Sequence, residues 1–392
     1  MCIKILHCVV DEKFIDGAIE LFDSIEGYKN EYVIIDSQNK NLEYIKSEIV
    51  KQEDEAWYIE NCIVNNNFNI VILHNLISLN SELIYRTNSM IKVIWLSWGF
   101  DLYELPMPIT PLINLTNQIK GNYIRIFENY VVKRIKRTIS EIIIHQFKNV
   151  VRWRNVLKRI DYYSGVFLEE FDLLIRDRRF NAKKIQYNYV SRKSPLKIEN
   201  IEKYNIDGRR NIIIGHQANP LLNHENTFKR IKRLNISSDI DIICPLSYGP
   251  ETEIKRILEL GSNMFGKNFI PLLDFMPYDQ YLKVYDSVNV AIFNIERQCA
   301  VGNIILAIWD GVKVFLPKSS LNYRHFINLG IRVYSIEDEL NLNNIKENAS
   351  REEVKENRKL LLENYSFDSV RTKLTNSLKL IEKNICKRPS PK

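Results

Sequence analysis

The stretch IKVIWLSWGFDLYELP (91–106) sets Trp98, Gly99, Asp101 and Tyr103 just past a run with the character of a buried strand. Aromatic rings stack on pyranose faces, and a carboxylate beside them can take the proton of an attacking hydroxyl. Asp101 is therefore one candidate base, with the plainer alternative that it caps the turn or helix that follows. His74, at the end of FNIVILH, competes with it. An imidazole titrates near neutrality unless its surroundings move it, but a strand-end histidine is equally often a simple hydrogen-bonding group.

A second group of residues suits an anionic ligand. In NIERQCAVGNIILAIWDG (294–311) a charged loop leads through Gly302 into an apolar helix. The free backbone N–H groups of such a helix start would receive a diphosphate, with Arg297 adding a charge-assisted contact; an ordinary solvated turn fits the same residues. HQANPLLNHENTF (216–228) offers Asn219, Asn223 and His224 either to a ligand or as helix caps. SYGPE (247–251) could close over a base or sugar, or be only a turn built on Gly249-Pro250. Asp239 and Asp241 form an Asp-x-Asp pair of the kind that holds a divalent metal elsewhere. They precede a strand rather than follow it, so they read as the solvated start of that strand, and no metal or other cofactor is expected.

These groups need strands that end side by side. NIIIG, DIDIICPL, NFIPL, VNVAIF and VKVFLP alternate with HENTFKRIKRL, PETEIKRILELG and YDQYLKVYDS, the pattern of βαβ units around a parallel sheet. In PETEIKRILELG, Pro250 and the early acids predict the helix start and Gly261 its end. IKILHCVV, YVIID, FNIVILH and IKVIWLSWG repeat the pattern less cleanly in the first half. The expected class is α/β with two Rossmann-like domains facing across a cleft, ligands lying beyond the carboxyl ends of the strands. The boundaries expected are 1–190, a polar linker at 191–210, a nucleotide-binding domain at 211–350, and a helical segment and tail at 351–392.

The chain has 392 residues, 45% of them hydrophobic, which suits two domains. Its start lacks the layout of a signal peptide, and no window approaches the ~20 apolar residues of a membrane-spanning helix. The six cysteines share no metal or disulfide spacing, as in a reducing cytoplasm. A formal net charge of +7 permits phosphate ligands, nucleic acid or an anionic membrane. Arg134, Lys136, Arg137, Lys148, Arg152, Arg154, Lys158 and Arg159 crowd 121–161 among apolar residues, which favours peripheral contact with an anionic inner-membrane surface over a merely solvated helix face on a basic protein. No nucleic-acid motif accompanies the charge, and nucleic acid is not expected as a partner.

Taken together, the loops resemble the bacterial N-acetylfucosaminyltransferases of enterobacterial common antigen synthesis. The resemblance rests on W-x-x-W-G-x-D-L-Y at 95–103, His74, the loop from Gly215 to His224, Tyr248-Gly249, Leu273-Asp274 with the helix start at 278–281, and Arg297-Gln298 followed by Gly302. It implies a GT-B fold and transfer of 4-acetamido-fucose from a dTDP-sugar to a polyprenyl-linked saccharide. The donor would sit in the second domain, its diphosphate near Arg297, Gln298, Gly302 and Asn303 and its base near Gly215, Asn219 and Tyr248. Asn223, His224, Gly249 and Asp274 would complete the donor side. Trp98, Gly99 and Tyr103 would lie on the acceptor side, with Asp101 or His74 facing the acceptor hydroxyl. The 120–190 region departs from the family's pattern, and retention or inversion at the anomeric carbon stays open.

Overall fold

The computed structural model describes residues 2–36, 40–103 and 155–386. Most of the basic stretch, including Arg134, Lys136, Arg137, Lys148, Arg152 and Arg154, lies outside the described residues. The described chain forms two compact units. One comprises the residues up to 103 together with 155–194 and 365–386, and the other comprises 195–364.

The first unit is a seven-stranded parallel sheet: β1 (Ile3–Cys8), β2 (Tyr28–Ile35), β3 (Val50–Glu53), β4 (Ile70–Leu73), β5 (Lys92–Leu96), β6 (Tyr162–Ser164) and β7 (Lys183–Lys184). Their order is β3-β2-β1-β4-β5-β6-β7. The central strands are mostly apolar because both faces are covered. Leu6, Cys8, Val71, Leu73, Val93 and Trp95 point into one core. Ile3, Ile5, Ile70, Ile72, Ile94 and Leu96 alternate with them into the other. The last described helix, Phe367–Cys386, closes that second face with Phe367, Val370, Leu374, Leu378 and Ile381.

The second unit repeats the arrangement with β8 (Asn211–Ile214), β9 (Ile242–Pro245), β10 (Phe269–Leu272), β11 (Val288–Ile292), β12 (Lys313–Leu316) and β13 (Tyr334–Ser335). All are parallel, in the order β10-β9-β8-β11-β12-β13. Each sheet reverses its winding beside its first strand, between β1 and β4 and between β8 and β11, and the crevice beyond the carboxyl ends at such a reversal is where α/β sheets bind ligands.

One helix boundary differs from expectation. The helix Glu251–Phe265 runs through Gly261 and ends at Gly266, whose φ is +56°. A side chain at Gly261 would run into the Phe269 ring, so this glycine serves close packing, while the left-handed Gly266 stops the helix.

The segment from 195 onward is bound into the second unit. Arg209 is 7% exposed and pairs with Asp310 at 3.1 Å. Arg358, on the helix Arg351–Tyr365, donates to the backbone carbonyls of Trp309, Asn200, Ile201 and Lys203. Arg159, counted above with the membrane-facing cations, is likewise committed to the fold: it donates to the carbonyls of Thr87, Asn88 and Ile91 and pairs with Asp161 at 2.8 Å. Lys158 is exposed. Among the described residues no helix is long and apolar enough to cross a membrane.

Candidate functional site

At the reversal point of the first sheet, β1 carries His7 and His74 follows β4 directly. Parallel pairing of β1 with β4 brings the two rings together although they are 67 residues apart, His7 Nδ1 lying 3.0 Å from His74 Nε2. His7 Nε2 lies 3.2 Å from Asn30 Oδ1, and Asn30 Nδ2 donates to Asp23 Oδ1 at 2.8 Å. At the other end His74 Nδ1 is 2.8 Å from the Tyr189 hydroxyl. His7 also stacks on Tyr32 with ring centroids 4.4 Å apart. Both imidazoles are fully buried. Desolvation lowers His7 to about 3 against the opposing pull of Asn30. Desolvation, then the neighbouring His7, holds His74 well below its ordinary value. Both rings are therefore neutral at physiological pH.

Asp101 is 6% exposed, and both of its oxygens are occupied. Oδ2 accepts from Trp95 Nε1 at 2.7 Å and from Leu76 N at 3.1 Å, and Oδ1 accepts from Trp98 N at 2.9 Å. Burial raises its pKa from 3.8 to about 6, and the donors limit the rise. This is the geometry of a brace that ties the loop after β5 to the loop after β4. Gly99, with φ +93°, turns the chain between Trp98 and the short helix Phe100–Tyr103. Tyr103, expected to face a ligand, is instead turned inward: it is 1% exposed and donates to Glu170 Oε1 at 2.9 Å. Glu170 is fully buried, accepts from Phe167 N at 3.0 Å, and is raised by burial to about 7. Trp98 remains half-buried beside Tyr189 and the exposed Phe14.

In the second unit β8 ends at Gly215, whose φ is +70° and whose N–H donates to Ile292 O at 3.0 Å. A side chain there would meet His224 Nε2 at 2.6 Å. His224 is fully buried, burial lowers it to about 3, and neither ring nitrogen has a hydrogen-bond partner among the described residues. Asn219 accepts from Leu221 N at 3.0 Å, a local capping role. Asn223, at φ +48°, donates to Asn294 O at 3.0 Å and so ties this loop to the one after β11.

Gly249, at φ +123°, follows Tyr248 after β9, and a side chain there would run into the Ala218 carbonyl. Tyr248 is 46% exposed and stands edge-on to Phe275, its ring centroid 6.1 Å away. Asp274 is exposed just past β10. After β11, Arg297 is half-buried, Gln298 is 8% exposed, and Ala300 at φ +59° turns the chain into the helix Val301–Trp309. Gly302 faces open space in its first turn, and Asn303 Oδ1 accepts from Tyr281 Oη at 3.0 Å.

Gly215, His224, Tyr248, Gly249, Asp274, Arg297 and Gly302 thus all lie at the carboxyl ends of β8 to β11. Asp239 and Asp241 lie at the opposite end of the sheet, where Asp239 pairs with Arg210 and Asp241 accepts from Asn268.

Two Rossmann-like parallel units, each winding outward from its first strand, make up a fold of the GT-B class. The profile of the 4-alpha-L-fucosyltransferases, glycosyl transferase group 56, matches residues 147–370, and the chain belongs to that family. Similar solved structures include the lipopolysaccharide outer core galactosyltransferase WaaB (9% identity, 97% of this chain and 99% of that one, TM-score 0.62). A glycosyltransferase from Rickettsia africae matches over 99% of each chain with 13% identity and TM-score 0.60. HepE of Anabaena, solved with UDP and glucose, matches over 96% of this chain and 100% of its own with 8% identity and TM-score 0.58. At these identities the likeness concerns the fold.

Proposed function

We propose that the enzyme takes its sugar from a nucleoside diphosphate, best dTDP-N-acetylfucosamine, held at the carboxyl end of the second sheet. The sugar goes to a polyprenyl-linked saccharide at the cytoplasmic membrane surface. The observation that carries the donor assignment is the loop after β11, where half-buried Arg297 precedes the left-handed turn at Ala300 and the free N-terminus of the helix Val301–Trp309. That arrangement suits the charge that develops on a departing diphosphate. His224 adds support, because a buried polar group without a partner costs roughly 1–3 kcal/mol, a cost that a polar ligand group can relieve. HepE, solved with UDP and glucose, gives a precedent for such a donor on this fold. Of the two base candidates, Asp101 is assigned to positioning, because its oxygens are taken by three donors. His74 is assigned to the acceptor side. The density of Lys and Arg over 121–161 supports the anionic membrane surface as a partner.

The test is a thermal-shift screen of the full chain against dTDP, UDP, GDP, CDP and CMP. A ligand at 100 times its Kd stabilises the native state by about 2.7 kcal/mol. The expected result is stabilisation by one nucleoside diphosphate, dTDP foremost, that Arg297→Ala removes. No stabilisation by any of them at millimolar concentration overturns the donor reading, and equal sedimentation with neutral and anionic vesicles overturns the membrane one.

A further inference from the structure

The hydrogen-bond chain through His7 and His74 has a direction fixed by its chemistry. Asp23 can only accept, so Asn30 presents its amide nitrogen to Asp23 and its oxygen to His7. His7 must then carry its proton on Nε2, leaving Nδ1 as an acceptor. His74 in turn donates from Nε2 to His7 Nδ1, and its own Nδ1 is an acceptor. The remaining partner, Tyr189, must donate its hydroxyl proton to His74. Burial keeps both rings uncharged, so no protonation reverses the chain near neutral pH.

With its proton committed, the Tyr189 oxygen can only accept. The Trp98 indole N–H leans toward the same oxygen but makes no hydrogen bond of normal geometry among the described residues. A donor and an acceptor therefore stand side by side, bordered by rings. Trp98 and Tyr189 are 5.7 Å apart, and Phe14, 46% exposed, is 6.1 Å from each. One common group satisfies both atoms at once, a hydroxyl, which donates to Tyr189 and accepts from Trp98. An anionic oxygen would accept from Trp98 but meet the lone pairs of Tyr189.

We infer that Tyr189 and Trp98 form a saccharide-hydroxyl subsite in the first unit, with Phe14 as part of its wall and His74, His7 and Asn30 as positioning residues that fix the direction of the Tyr189 hydroxyl. This rests on the acceptor-side reading above and adds to it a hydroxyl-specific pair of atoms.

The test uses the full chain labelled with 15N-histidine, titrated with octyl N-acetyl-β-D-glucosaminide and octyl glucoside. The expected spectrum shows His7 and His74 protonated at Nε2 and bare at Nδ1, and sugar binding moves the His74 Nδ1 resonance. Tyr189→Phe, which keeps the ring, weakens sugar binding at least tenfold and leaves the nucleotide-induced rise in Tm unchanged. The milder Phe14→Leu reports on the wall without touching the chain of hydrogen bonds, and weakens binding severalfold.

An Nδ1-protonated tautomer at either histidine overturns the inference. So does a wild-type His74 signal indifferent to both glycosides while the protein still hydrolyses a nucleotide sugar, a result that leaves the transferase reading standing. A His74 response in a protein that neither binds nor hydrolyses any nucleotide sugar supports the subsite and removes the donor reading.

Discussion

Replacing Asp101 by asparagine separates a brace from a base. Asparagine can keep its oxygen where Oδ2 accepts from Trp95 Nε1 and Leu76 N, but its amide then opposes the Trp98 N–H. One buried donor left without an acceptor costs about 1–3 kcal/mol. Against this, the native carboxyl has its pKa raised from 3.8 to about 6 by burial. A group raised in the folded state contributes stability that is whole below the unfolded pKa and is lost as pH rises through the folded one. Linkage sets that loss at roughly 1–2 kcal/mol by pH 5 and about 3 kcal/mol by pH 7.5.

Asparagine does not ionise, so the stability difference between the two proteins should move in the mutant's favour by about 1 kcal/mol between pH 5 and pH 7.5. Urea unfolding of both proteins at the two pH values measures this directly. A difference that does not change with pH refutes the burial argument. Turnover supplies the second arm: removing a base typically costs 10²–10⁴-fold, whereas a brace that still holds two of its three bonds should leave the rate within about tenfold.

Glu170→Gln should be neutral or stabilising above pH 7, since the amide can donate to the Tyr103 oxygen and accept from Phe167 N, while the native acid, raised by burial to about 7, loses stability as it ionises. Melting curves at pH 6 and pH 8 check the sign. Gly249→Ala should lower Tm by several degrees and abolish nucleotide-induced stabilisation, because φ is +123° and the added carbon meets the Ala218 carbonyl, a backbone atom that cannot swing aside. Circular dichroism melts with and without dTDP test it.

The strands at the centre of each sheet were legible because both faces are covered: NIII of β8, VNVAI of β11 and KVFL of β12 are almost wholly buried. The edge strands VKQE of β3 and KK of β7 carry no apolar run, since one side of each meets solvent, and they left no signal. Gly261 was misread because a glycine admitting a neighbouring ring looks, in sequence, like one that ends a helix. The second-unit loops were found because each follows a visible strand. His7 and Glu170 were missed for a different reason. His7 sits inside β1 and gains its meaning only from the register of β1 with β4, and Glu170 only from Tyr103, 67 residues away.

The two crevices handle charge differently. In the second unit Arg297 and the helix start Val301–Trp309 supply positive potential where the donor diphosphate is proposed, and the left-handed turns at Gly215, Gly249 and Ala300 shape the loops that carry the backbone to that end of the sheet. In the first unit the polar groups at the corresponding point, His7, His74 and Tyr189, form one directed and uncharged chain. A cation there would favour phosphate in the wrong unit. A neutral chain gives a phosphate no counter-charge, yet still orients a hydroxyl. Burying the histidine pair costs the fold the solvation of two imidazoles, and under the proposal that cost is offset by a neutral, directed oxygen at the hydroxyl subsite.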